Sequence, residues 1–188
     1  IVTLVPDLYI AWHAGKSSWK KHCSLNLNSI GIEISNQGHQ FNYTKFSKKQ
    51  IHSLLKLSKY IIKKYKINPQ NILGHSDIAP DRKNDPGEKF PWEYLAKNEI
   101  SLWHTLEKKY LRNFRKIIIE NSSKKIFLKN VFKIGYSQNT KIKKNKLKNE
   151  FYIIKAFQRR FRQELINGKI DKECLLISQN LMKVLRLI

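Results

Sequence analysis

The chain of 188 residues is 41% hydrophobic and 11% aromatic, enough apolar material for one ordinary domain or two small ones and too much for a disordered chain. Its net charge of +23 is uneven: residues 1–105 hold 15 Lys and Arg against 8 Asp and Glu, and residues 106–188 hold 22 against 6. Lys outnumbers Arg 30 to 7, which argues against a specific nucleic-acid reader, since those lean on bidentate Arg. An anionic wall polymer or membrane surface stays compatible with the charge, and so does a lysine-rich composition with no partner behind it.

Cys23 and Cys174 are the only cysteines, and neither sits in a CxxC. A thiolate zinc site and a disulfide framework are thereby excluded. No apolar run approaches the length of a membrane span, and no secretory leader is visible. The first residue is Ile1 and the only Met is Met182, so the expectation is a fragment of a longer protein.

In chain order, residues 1–5 are β-branched and apolar and predict a strand, closed by the turn Pro6-Asp7. A loop of small residues and Trp runs from Ala11 to Trp19. Residues 29–34 predict a second strand: Ile30, Ile32 and Ile34 alternate with Gly31 and Glu33, so Glu33 points away from the apolar face. Ser47 followed by Gln50 is a capping box, and the apolar stripe from Ile51 to Tyr65 predicts an amphipathic helix over 47–65, stopped by Asn68-Pro69. Ile72-Leu73 reads as a short strand leading into a long polar loop, 74–92, with Pro80, Pro86, Gly87 and Pro91. Loops of that length are usually functional or disordered. Phe90-Pro91-Trp92 opens a short helix to about Leu95. Beyond Thr105 helical patterns dominate: roughly 106–114, a weaker stretch at 125–134, then 151–165 and 172–185, with a Lys- and Asn-rich connector at 141–148.

Chemistry concentrates in the polar loop. His75 and Asp85 are good zinc ligands, and ten residues of loop can bring both to one ion. Taken alone the pair is weak evidence, and a solvated His with a turn Asp is the commoner meaning of such spacing. Glu33 is either a proton-transfer group or a surface carboxylate on a half-buried strand. Trp12 and His13 are either a cleft wall or a packed Trp and a structural His.

The run His75-Ser76-Asp77-Ile78-Ala79-Pro80-Asp81-Arg82-Lys83-Asn84-Asp85-Pro86-Gly87 resembles the zinc-site loop of the type 2 N-acetylmuramoyl-L-alanine amidases, the AmiD/AmpD-like enzymes. Ala11-Trp12-His13-Ala14-Gly15 resembles the cleft motif of that family. Asn28-Ser29-Ile30-Gly31-Ile32-Glu33-Ile34 resembles its central strand, and Phe90-Pro91-Trp92 the residues after the metal loop. The resemblance implies an α/β amidase domain, with a mixed central β-sheet flanked by helices, over residues 1–105. It implies zinc as cofactor, held by His75 and Asp85, with Glu33 as general base and Lys83 as oxyanion stabiliser. Trp12 and His13 would line the substrate cleft. The family's third ligand is a His from an earlier strand, expected upstream of Ile1.

Ile154-Lys155-Ala156-Phe157-Gln158-Arg159-Arg160-Phe161 and then Gly168-Lys169-Ile170-Asp171 resemble small three-helix peptidoglycan-binding modules. This implies a small all-α domain at 106–188, with Arg159, Arg160 and Arg162 facing an anionic polymer or solvent. The expected partner is peptidoglycan or a muropeptide, with no specific nucleic acid, no transmembrane segment and a monomeric state. The expected place is the cell envelope. The expected activity is hydrolysis of the bond between N-acetylmuramic acid and L-alanine in wall turnover or recycling. The alternative is a non-catalytic peptidoglycan-recognition protein.

Overall fold

The computed structural model describes residues 1–7, 9–136 and 146–186. Helix α1, Lys48–Tyr65, begins where the capping box places it. Ser47 Oγ accepts the Gln50 N–H at 3.2 Å, and Gln50 Oε1 accepts the Ser47 N–H at 2.9 Å. Its buried Ile51 and Leu54 meet Phe90, Trp92, Leu95 and Ile100 in one apolar cluster, and its lysines stay on the other face. The polar loop contains a single helical turn, α2, His75–Ile78, and ends in α3, Trp92–Lys97.

The rest of the chain is helical: α4 Lys108–Arg112, α5 Asn121–Ile134, α6 Lys146–Phe161 and α7 Lys172–Val184. The connector read at 141–148 lies outside the described residues up to 145, and α6 takes up its end. Helices α5, α6 and α7 enclose a core of Phe127, Val131, Ile153, Phe157, Phe161, Cys174, Ile177 and Leu181. Phe127 and Phe157 meet edge to face at 5.0 Å, an arrangement worth about 0.5–1.5 kcal/mol beyond the area it buries. Ala14, Trp19 and Leu25 belong to the same cluster. The change of composition near Thr105 therefore marks a change of secondary structure, while the apolar core runs through it.

The residues that suggested a wall-binding module have structural partners. Gln158 is fully buried. Its Oε1 accepts the N–H of Asn167 at 3.0 Å and of Gly168 at 2.9 Å, and its Nε2 donates to the Lys169 carbonyl at 2.8 Å. Asp171 caps α7 through the Cys174 N–H at 3.0 Å and pairs with Arg162. Arg159, Arg160 and Arg162 are buried rather than turned to a polymer or to solvent, because carboxylates inside the fold claim two of them: Asp77 pairs with Arg160, Asp171 with Arg162.

The mixed central sheet is not formed among the described residues. Their one sheet is a pair of two-residue antiparallel strands, β1 Ser18–Trp19 and β2 His22–Cys23. Residues 1–5, 29–34 and 72–73 have the alternation or β-branching of strands but no ladder partner. A strand is a property of a pair, and side-chain pattern alone does not supply the second member. Ile30 and Ile32 consequently stay 43% and 39% exposed, and Ile34 alone tucks against the α1 cluster.

Candidate active site

The site is built on the turn α2. His75 is its first residue, and its Nδ1 lies 3.1 Å from Asp85 Oδ2, ten residues further on. The loop between them folds back on itself. The Ser76 N–H donates to the Asp85 carbonyl at 2.9 Å, and the Arg82 and Lys83 amides donate to the Ala79 carbonyl at 3.1 and 3.0 Å. Gly74 has to be glycine, because a Cβ there would lie 2.7 Å from Pro86 Cδ.

The cleft motif lies against this turn. His75 Nε2 is 3.2 Å from the Ala14 carbonyl. The Arg82 guanidinium also donates to the Ala14 carbonyl, and to that of Lys16 at 3.0 and 2.8 Å. Arg82 sits inside the matched motif, yet spacing gave no reason to assign it this bracing role. His13 binds the Ala11 carbonyl and Ser29 Oγ, both at 2.9 Å. Its ring covers Gly31, where a Cβ would lie 2.6 Å from its Cγ. Trp12 beside it is 87% exposed, an open aromatic face rather than a packed one.

The other two candidates stand apart from the pair in different degrees. The Lys83 ammonium is close enough to act on the charge of Asp85. Burial pushes the Asp85 carboxyl up, but the hydrogen bond and charge of His75, with Lys83, outweigh it and hold the group below its ordinary range. Glu33 lies on the exposed stretch after Gly31 and makes no hydrogen bond or ion pair among the described residues. On the loop's far flank, His39 Nε2 meets Glu88 Oε2 at 2.9 Å, and the Tyr43 hydroxyl donates to the Pro86 carbonyl at 2.7 Å. Burial raises Tyr43, while for Glu88 burial is outweighed by the His39 hydrogen bond and the group falls. Neither Tyr43 nor His39 stood out in the sequence, since both lie in an unpatterned stretch.

A zinc ion with bonds of about 2.0–2.1 Å in tetrahedral array sets neighbouring ligand atoms roughly 3.3 Å apart. The His75–Asp85 separation of 3.1 Å fits two such positions, and nitrogen with carboxylate oxygen is a zinc donor set. Among the described residues no group of three or more His, Cys, Asp or Glu is placed to hold a metal. His13 and His39 are engaged by other partners.

Residues 1–88 match the family described as N-acetylmuramoyl-L-alanine amidase. N-acetylmuramoyl-L-alanine amidase AmiD of Escherichia coli K12 is 35% identical over 185 residues, covering 96% of this chain and 66% of that protein. The structure of the E. coli AmiD complex with the substrate anhydro-N-acetylmuramic acid-L-Ala-D-gamma-Glu-L-Lys aligns with TM-score 0.83 and 35% identity, over 97% of this chain and 72% of the other. The chain belongs to the N-acetylmuramoyl-L-alanine amidase family. A second structure, AmpDh3 from Pseudomonas aeruginosa, aligns with TM-score 0.80 and 31% identity over 97% of this chain and 72% of its own. The 1,6-anhydro-N-acetylmuramyl-L-alanine amidase AmpD of Haemophilus influenzae is 43% identical over 88 residues, 46% of each protein. The family chain described here thus spans 66% of the AmiD relative and 46% of that AmpD. The likeness to AmiD and AmpDh3 runs through the helical second half, whereas the match to AmpD stops at 88 residues.

Proposed function

We propose that this chain carries the reaction centre of a zinc amidase that hydrolyses the bond between the lactyl group of N-acetylmuramic acid and L-alanine of a peptidoglycan stem. The observation that carries the reading is the His75–Asp85 pair, 3.1 Å apart on a loop folded back by its own amides. Both residues would hold the ion, which supplies Lewis acidity to the scissile carbonyl and lowers the pKa of coordinated water toward about 7. Asp85 would bind as the carboxylate and His75 as the neutral imidazole, the forms a metal requires.

The remaining chemistry belongs to the chain's own groups. Glu33, on the exposed strand-like segment, takes the proton of the attacking water and returns it to the departing amine of L-alanine. The Lys83 ammonium, whose charge acts on Asp85, would stabilise the charge that develops on the carbonyl oxygen. The exposed face of Trp12 packs on sugar or peptide, and His13 holds that loop by its bonds to Ala11 and Ser29 while adding to the cleft wall. The same reading treats 106–188 as the peptidoglycan-binding-like unit, supported by the runs Ala156-Phe157-Gln158 and Gly168-Lys169-Ile170-Asp171, and takes the cell envelope as the place of action. The substrate is intact wall or an anhydromuropeptide of the kind bound by that relative.

Incubating the zinc-loaded protein with muropeptides tests this directly. Free lactyl-sugar and peptide products that vanish on chelation are expected; no products, with no effect of chelator, would end the reading. That only two ligands converge among the described residues favours a second possibility, recognition without cleavage. Glu33→Ala separates the two, because binding persists in both cases but turnover is lost only from an enzyme.

A further inference from the structure

We infer that Arg160, in the last turn of α6, is a positioning residue for the metal-site loop, so that the helical half of the chain sets the geometry of the His75–Asp85 pair. The inference rests on the amidase reading for its chemical meaning, but its structural basis is separate. Asp77, two residues after His75, is 1% exposed, and Arg160 is 3% exposed. Asp77 Oδ2 accepts the Gly74 N–H at 2.8 Å and Arg160 Nη1 at 2.8 Å, and Oδ1 accepts the Tyr136 hydroxyl at 2.6 Å. The second arm of Arg160, Nη2, donates to the Ile72 carbonyl at 2.9 Å. One guanidinium therefore grips the chain on both sides of His75, 83 residues away from Asp77 in sequence.

Its flat face is also used. The guanidinium carbon lies 3.9 Å from the Trp92 ring centroid, and the Trp92 ring closes over Gly74, where a Cβ would lie 3.1 Å from Cζ2. Asp85 is referred to the same turn, through the Ser76 N–H to its carbonyl and through Pro86 packed on Gly74. The Ser76–Asp85 and Gly74–Pro86 contacts that join His75 to Asp85 thus lead back to the turn Arg160 holds, while Ala14 and Tyr43 brace the pair from outside it. A pair that merely joined two halves of a fold would need one contact. This one spends both arms and a face on the flanks of a single ligand, and planar bidentate geometry is what Arg offers and Lys does not.

The test compares the full chain with Arg160→Lys and with Leu181→Ala, a stability-lowering core variant in α7, which packs chiefly on α5. Amide exchange at Gly74 and Ser76 is read by NMR in metal-free protein, and zinc affinity by competition with a chelating dye. Arg160→Lys is expected to speed exchange at both amides at least ten-fold and to weaken zinc at least ten-fold. Leu181→Ala, compared at equal distance below its melting temperature, should move neither by more than two-fold. If Arg160→Lys does not fold, Asp77→Asn/Arg160→Met, which leaves no unpaired buried charge, carries the same comparison. Equal exchange in the Arg160 and Leu181 variants would overturn the inference and reduce the pair to a stability device. A parent chain that binds no zinc would instead strike the amidase reading, while the exchange comparison still decides the role of Arg160.

Discussion

The loop from Gly74 to Pro91 and the segment from Asn28 to Gln37 are both irregular in backbone, and both carry groups assigned to the reaction, yet they are held in opposite ways. The loop encloses a buried carboxylate with three donors, and its amides close on its own carbonyls. The segment is tied mainly at its ends, by His13 on Ser29 and by Gln50 on the Ser35 carbonyl at 2.6 Å, and no backbone hydrogen bond reaches Ile30 to Ile34 among the described residues. Order in irregular chain comes from buried polar side chains that absorb its free amides, not from regular structure. The proposed ligand pair sits on the ordered member, where a small displacement would matter most, and the proposed proton carrier on the looser one.

The sharpest way to exploit that contrast is Glu33→Gln. Glu33 has no partner to lose among the described residues, so its melting temperature should stay unchanged while kcat falls about 10²–10⁴-fold, the span of general acid–base catalysis. A matching loss of stability would show that the segment is held after all. On the ordered side, acid should do what mutation does elsewhere. His104 is buried, stacked on Trp103 at 4.9 Å, and its Nδ1 has no partner; burial pulls its imidazole down to about 4. The folded state therefore resists a proton that the unfolded chain accepts from pH 6.5 downward. Its stabilising effect is present above that pH and is lost as pH falls toward 4, by roughly 2–4 kcal/mol. Denaturant melts at pH 7, 5.5 and 4.5 on the parent and on His104→Phe should diverge over that window. Trp103 packs against both apolar clusters, so the loss should be felt across the whole fold.

Tyr136→Phe is a smaller perturbation of the loop's anchor. It leaves one Asp77 oxygen without its 2.6 Å donor and should cost about 1–3 kcal/mol in urea unfolding. Ser47→Ala, which opens the capping box of α1 but leaves the Gln50 tie to the Ser35 carbonyl, should cost about 1 kcal/mol and leave activity alone. If the Tyr136 variant cost no more than the Ser47 one, buried partners would not be what distinguishes the loop.

What could be read from the chain alone follows the range of the interaction involved. Helix α1 was legible down to its cap because Ser47, Gln50 and the apolar stripe lie within a few turns of one another. Helix α7 likewise begins at Lys172, just after its capping Asp171. The joining of His75 to Asp85 was legible as motif, and the ten-residue loop closes as its length allows. The pattern at Ile30, Ile32 and Ile34 was equally clear, but a ladder needs a second strand that no local signal guarantees. The pairing of Asp77 with Arg160 was not legible at all. In one dimension Asp77 is a loop acid and Arg160 a basic residue on a helix, and only folding reveals that each neutralises the other out of water.

The two cysteines have a practical consequence. Cys23 is exposed on β2, whereas Cys174 is buried against Gln158, and burial pushes its thiol up to about 12. Because only the thiolate attacks an alkylating reagent, a maleimide added to native protein should modify Cys23 alone. That gives a single handle for a fluorophore on the hairpin beside the cleft motif, and it leaves Cys174 as a clock. Once Cys23 is blocked, the slow appearance of a second adduct would count how often α6 and α7 part company.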